Sequence, residues 1–170
     1  RLARLSSGDS LWVTRHAGGR FTLADMPRAP CLWMMATGTG IGPYLSILRE
    51  AEVWQHFDRL FLVHGVRRSQ DLVYREWLED LEGARQGRFR YLPVVSREAN
   101  DFALRGRIPA LLEEGKLEDC AGTAIESGSA HVMLCGNQAM IRDAIQILGE
   151  RGMRRHSRRE SGHITTERYH

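Results

Sequence analysis

The chain has 170 residues, 42% of them hydrophobic and 26% charged, with a net charge of +3. That length buries one ordinary core with room for a small appendage, and the composition is that of a soluble globular protein rather than a disordered or fibrous one. No apolar run approaches the ~20 residues that span a bilayer, the first residues do not read as the basic-then-apolar layout of a secretory signal, and few aromatics interleave with the arginines as nucleic-acid binding would need.

Residues 1–28 differ from the rest. Leu11-Trp12-Val13-Thr14 and Arg20-Phe21-Thr22-Leu23 read as short strands joined by a Gly18-Gly19 turn. Two strands cannot make an independent core, so they read as the edge of a β-domain, with Pro27 and Pro30 marking a linker. From Cys31 onward strand and helix alternate. Leu32 to Ala36 is apolar throughout, as a strand covered on both faces should be. Pro43 suits a first helical turn, and Tyr44, Ile47, Leu48 and Ala51 follow at helical spacing. A second strand covers 59–65, a helix Leu72 to Leu81, a third strand Phe89 to Val95, and a short helix Ile108 to Leu112. His131 to Gly136 is a fourth strand, after which Asn137 can cap the helix carrying Met140, Ile141, Ala144 and Leu148. Gly162 to Thr166 supplies an edge strand. The alternation predicts a doubly wound parallel five-stranded α/β sheet behind an N-terminal remnant of an antiparallel β-barrel.

Three stretches carry chemistry. Thr37-Gly38-Thr39-Gly40-Ile41-Gly42-Pro43 joins the first strand to its helix and exposes backbone N–H groups where phosphate is favoured. It is neither a P-loop nor the usual dinucleotide fingerprint, because Pro43 stands in the third glycine's place. Taken alone it fits a phosphate cradle or a bare tight turn. Arg67 and Arg68 follow the second strand, Arg97 the third, and Arg105 and Arg107 the next short loop. Several arginines on one sheet edge suit a phosphate dianion. Cys135-Gly136 ends the fourth strand, where a small thiol either lies against a ring or is simply buried. No histidine stands in a recognisable nucleophile signature with it. Cys31, Cys120 and Cys135 are scattered, which fits a reducing cytoplasm and shows no metal-ligand spacing. Arg151, Arg154, Arg155, Arg158 and Arg159 either steer an acidic partner or form a solvated segment near a helix end.

In this order and spacing, the 32–48 stretch, Val63-His64-Gly65-Val66-Arg67, Val95-Ser96-Arg97-Glu98, Gly106-Arg107-Ile108-Pro109 and Val132-Met133-Leu134-Cys135-Gly136-Asn137 resemble the NADP(H)-binding half of bacterial ferredoxin/flavodoxin–NADP⁺ reductases. The resemblance covers essentially the whole chain. It implies an FAD-domain remnant at 1–28 and an NADP(H)-binding α/β domain at 29–170. Thr37, Gly38, Thr39 and Gly40 would line the pyrophosphate and nicotinamide, with Thr39 also facing the flavin. Arg67, Arg97 and Arg107 would surround the 2′-phosphate and adenosine. Cys135 would stand beside the reacting nicotinamide, with Gly136, Asn137 and Met140 next to it. Tyr169 and His170 would pack on FAD, which the preceding domain mainly holds. Gln138 departs from the family's usual proline, and the ending Tyr169-His170 from its usual Tyr-Trp. The implied activity is hydride exchange between NADPH and FAD, with electrons passed to an acidic ferredoxin or flavodoxin, by a cytoplasmic monomer. Two other readings use the same loops: an NADP(H)-binding module inactive on its own, and the reductase component of an oxygenase.

Overall fold

The apolar runs do become strands, because only a sheet covered on both faces hides so many consecutive large side chains. A computed structural model describes residues 4–13, 15, 21–23, 26–157 and 159–168. Its strands are β1 (Cys31–Thr37), β2 (Arg59–Val66), β3 (Phe89–Val95), β4 (Leu104–Arg105), β5 (Ala130–Gly136) and β6 (Ile164–Arg168). Its helices are α1 (Gly42–Arg49), α2 (Ala51–His56), α3 (Arg75–Ala84), α4 (Ile108–Glu113), α5 (Lys116–Ala121) and α6 (Gln138–Glu150). All strand pairs are parallel, in the order β4-β3-β2-β1-β5-β6. The chain steps outward from β1 to β4, then crosses back to lay β5 against the other side of β1.

Alternation along β1 divides the core. Trp33 and Met35 face a cluster with Leu111 and Leu112 of α4, Leu117 of α5, and Ile141, Ala144 and Leu148 of α6. Met34 and Ala36 face Tyr44, Leu45 and Leu48 of α1, Trp54 of α2 and Leu78 of α3. Trp33 stacks on Phe61 with ring centroids 4.3 Å apart, an arrangement that adds about 0.5–1.5 kcal/mol beyond area burial.

Four expectations change. The sheet has six strands, not five, since the two-residue β4 is too short to show a period. The helix expected from Leu72 begins at Arg75, because residues 69–71 form a separate 3-10 turn whose Asp71 carboxylate accepts from the Arg68 N–H at 3.2 Å. The first helix breaks at Glu50, whose ψ of 135° is extended, and α5 is an extra element. At the N-terminal end, residues 11–13 and 21–23 lie in no strand. Leu23 and Met26 instead bury themselves in the α1-side cluster and Phe21 packs against it, while Trp12 is 98% exposed. Residues 21–23 and 26 thus cover the α1-side core without joining the sheet. The expected Gly18-Gly19 turn lies outside the described residues.

Candidate functional site

The crossover puts the topological switch point at the C-terminal ends of β1 and β5, where a doubly wound sheet leaves a crevice. Residues Gly38–Ile41 form a 3-10 turn that runs straight into α1, with Pro43 in its first turn. The leading N–H groups of such a run have no partners within it, and they open at this edge. Gly38 turns the chain with a φ of +53°. Gly40 is there for closeness: a Cβ on it would lie 2.7 Å from the Cys135 carbonyl oxygen and 2.9 Å from the Gly136 Cα. Gly136 needs both properties, with a φ of +123° and a would-be Cβ 2.8 Å from the Thr37 carbonyl oxygen and nearer still to its hydroxyl. The Asn137 N–H donates to Thr37 Oγ1 at 2.8 Å, tying the β5 loop to the β1 loop. The Asn137 side chain in turn accepts from the N–H groups of Ala139 and Met140 at the start of α6. Two helix N-termini, both attractive to anions, therefore meet in a rigid cradle of bare backbone.

The arginine loops are fixed in the same way, by backbone. The Ser96 N–H and hydroxyl both donate to the Val66 carbonyl at 3.1 Å, and the Arg97 N–H donates to the Arg67 carbonyl at 3.0 Å. Glu98 accepts from the Ser69 N–H at 2.6 Å, and hydrogen bonds from Ser69 hold its carboxyl below the usual range. The Gly106 N–H closes the row by donating to the Val95 carbonyl at 3.1 Å. Neighbouring strands stand about 4.8 Å apart, so Arg67, Arg97, Arg105 and Arg107 rise from adjacent strand ends. All four are exposed, and among the described residues none of their guanidinium groups has a hydrogen-bond or ion-pair partner. The loops are preset and the charges are free.

The other expected residues fall as follows. Thr39 is exposed at the loop, whereas Thr37 is half-buried and spends its hydroxyl on Asn137. Met140 is buried on the α6 side of the core. The Cys135 thiol is fully buried, and burial, with Glu167 as a lesser cause, pushes its pKa up to about 12. A neutral buried thiol is a poor nucleophile near neutral pH. Tyr169 and His170 lie outside the described residues.

Two groups escaped sequence reasoning. His64 was visible only as part of a motif, yet its buried ring stands 3.0 Å from the Gly38 carbonyl. The Tyr44 hydroxyl reaches the Met35 carbonyl at 3.3 Å, fastening α1 to β1. Two open grooves of about 430 and 510 Å³ lie along β3 and α3. Their acidic linings, with Glu79 in both, repel phosphate, and neither reaches the switch point.

The basic segment sits elsewhere. Arg155 bridges to Ile164, which pairs with Val132 of β5, so its backbone lies about 13 Å along the strand from Gly136 at the switch point. Arg151 pairs with Glu118 at 2.9 Å and donates to the Leu112 carbonyl at 2.5 Å. Arg154 pairs with Glu160 at 3.0 Å, and Arg155 donates to the Thr166 hydroxyl at 3.3 Å. These contacts favour the reading of a fold-holding segment over that of a partner-steering one.

A switch-point edge of bare backbone beside a row of unpaired arginines fits a nucleotide-binding α/β domain. The sequence profile of the oxidoreductase NAD-binding domain matches residues 34–146. The chain is 47% identical over 143 residues to the flavodoxin/ferredoxin–NADP reductase of Escherichia coli, covering 84% of this chain and 58% of that protein. It is 38% identical to the enzyme of the same name from Buchnera aphidicola subsp. Baizongia pistaciae, over 99% of this chain and 68% of that protein. The crystal structure of a ferredoxin NADP⁺ reductase from Neisseria gonorrhoeae, with bound FAD and NADP, superposes with a TM-score of 0.93 at 34% identity, covering 98% of this chain and 67% of the other. This chain belongs to the flavodoxin/ferredoxin–NADP reductase family, within the oxidoreductases that carry this NAD-binding domain. It spans about three fifths to two thirds of the length of the curated relatives it matches.

Proposed function

We propose that this chain is the NADP(H)-binding part of a flavodoxin/ferredoxin–NADP reductase. The observation that carries the reading is the row of unpaired arginines on backbone-locked loops, beside a crevice from which side chains are excluded. Gly38, Thr39 and Gly40 with the α1 N-terminus receive the pyrophosphate. Arg97 and Arg107 fork onto the 2′-phosphate, and Arg67 faces the adenosine. Gly136 and Asn137 bring the nicotinamide close to the backbone, Cys135 forms the wall behind them, and Met140 supports that wall from the core. When bound, nicotinamide and flavin supply the hydride chemistry. The chain's own task is to orient the nicotinamide, exclude water from it and select the phosphorylated nucleotide.

Residues 1–28 are proposed as the end of the FAD-binding domain and 29–170 as the nucleotide domain. FAD is then held mainly by residues outside this chain, with Thr39, Tyr169 and His170 covering at most one face of its ring. One stacked aromatic contributes about 1–3 kcal/mol, which alone is millimolar binding or weaker. The partner is an acidic ferredoxin or flavodoxin reached through the flavin, and the setting is a monomer in the cytoplasm. Among the described residues no helix is long and apolar enough to cross a membrane.

The test is calorimetric titration of the purified chain with NADP⁺ and with NAD⁺, alongside its visible spectrum. The expected result is a colourless protein that binds NADP⁺ and strongly prefers it, and that gains diaphorase activity when an FAD domain is added. Equal affinity for both nucleotides would overturn the assignment of the arginines. A yellow protein with stoichiometric FAD after gel filtration would overturn the division of labour between the two domains.

A further inference from the structure

His64 stands in β2 opposite Ala36, one residue before the pair Thr37 and Gly65. Its side chain is buried, at 2% exposure, and its Nε2 lies 3.0 Å from the Gly38 carbonyl oxygen. A carbonyl only accepts, so Nε2 carries the proton and donates it. Nδ1 is buried too and has no partner among the described residues. A second proton there would find no acceptor, so the ring is held neutral. Burial accordingly lowers its pKa.

A trans peptide unit is planar, and its C=O and N–H point in opposite directions. Fixing the Gly38 carbonyl toward His64 therefore turns the Thr39 N–H away from β2. Gly38, at a φ of +53°, has no Cβ to hold that peptide by steric contact. The carbonyl also accepts from the Ile41 N–H within the 3-10 turn, and a flipped unit would lose both bonds and present its oxygen where an anion is to bind. Among the described residues, His64 is the side chain that adds a second hydrogen bond to this carbonyl.

We propose that His64 is a positioning residue for the phosphate loop, holding the Gly38–Thr39 peptide so that the Thr39 N–H faces the pyrophosphate. The inference rests on the NADP(H) reading above. His64 itself touches no ligand; it acts through one peptide plane.

The experiment compares wild-type chain with His64→Leu, His64→Gln and His64→Asn. The ligands are NADP⁺ and adenosine 2′-monophosphate, which carries the arginine-binding phosphate but no pyrophosphate, and thermal melting is followed in parallel. Leucine removes the donor, glutamine presents an N–H close to the Nε2 position, and asparagine falls short of Gly38. His64→Leu and His64→Asn should weaken NADP⁺ binding about ten- to a hundredfold, the range for one hydrogen bond to a charged group. Both should leave the monophosphate within about twofold, and His64→Gln should restore most of the NADP⁺ affinity. If the leucine variant fails to fold, the glutamine and asparagine pair decides, because only their reach differs. Equal losses for both ligands, or equal behaviour of Gln and Asn, would overturn the inference while leaving the NADP(H) reading intact. A wild-type chain that does not bind NADP⁺ would overturn both.

Discussion

The two ends of the sheet carry similar residues and do opposite things with them. At the C-terminal edge, backbone hydrogen bonds fix the loops and the arginines stand free: Arg97 and Arg107 have no partner among the described residues, while their loops are tied to Val66, Arg67 and Val95. At the N-terminal edge the polar side chains are consumed by the fold. Arg151 pairs with Glu118, the Arg154 N–H donates to His163 Nδ1 at 3.1 Å, and the Gly162 N–H donates to His156 Nδ1 at 3.3 Å. Counting positive charges would favour the 151–159 segment as the binding surface. Asking whose charges are already satisfied favours the other edge, because a ligand gains most from donors that folding leaves unpaired.

Identical lesions at the two ends should separate most clearly. Gly136→Ala places a Cβ against Thr37 and strains a φ of +123°, and Gly162→Ala places one 2.7 Å from the Arg154 carbonyl oxygen and nearer still to that of Arg155. Each should cost roughly 2–4 kcal/mol of stability in denaturant titration. Only Gly136→Ala should also abolish NADP⁺ binding by the molecules that remain folded. A Gly162→Ala protein that folds but loses the nucleotide would break the comparison.

Acid should act strongly at the N-terminal edge. His131 is buried beside Thr165 and lies 5.9 Å from the His156 ring. Burial, with His156, His163 and His56 adding to it, depresses its pKa from 6.5 to about 4. The unfolded chain then takes up a proton that the folded chain refuses. Stability is fully present above pH 6.5 and falls between about pH 6.5 and 4, by up to about 3 kcal/mol. His131→Gln should flatten that slope in urea titrations at stepped pH; an unchanged slope would assign the loss to other groups.

Charge removal sharpens the contrast further. Arg97→Ala and Arg107→Ala should each weaken NADP⁺ about ten- to a hundredfold and leave NAD⁺ nearly untouched, as expected for contacts worth roughly 1.5–3 kcal/mol. Arg151→Ala should do the reverse, losing about 1–3 kcal/mol of stability by removing the Leu112 and Glu118 contacts with no change in nucleotide affinity. The smallest effect belongs to the Arg154→Glu, Arg155→Glu double variant. With Arg154 paired to Glu160 and Arg155 donating to Thr166, electron transfer to an acidic partner should change little, even at low salt where exposed charges matter most. A large drop at low salt would restore the segment as a docking surface.

Much of this was legible in the chain itself. The continuous apolar run of β1 reads as a strand buried on both faces, and Asn137 announced the start of α6. The arginines were legible too, since strand ends in an alternating fold place them on one edge. What could not be read were relations between distant residues. Thr37 meets the Asn137 N–H, and His64 meets the Gly38 carbonyl, through strand register rather than sequence proximity. The glycines looked alike in sequence, yet Gly38 serves by its φ, Gly40 by close approach and Gly136 by both. Two-residue β4 and the break at Glu50 lie below the length at which periodicity has meaning. For the basic segment, sequence shows charge but not that Arg151 and Arg154 have carboxylate partners.

The central claim is that nucleotide binds at the switch-point edge and nowhere near the opposite one. Amide chemical shifts of the ¹⁵N-labelled chain, followed during titration with NADP⁺, test it residue by residue. The predicted shifts fall at residues 37–41, 65–69, 96–98, 105–107 and 136–140, with those at 131–132 and 151–164 unmoved. Saturating NADP⁺ that leaves the first set still, or that moves the second, would contradict the account.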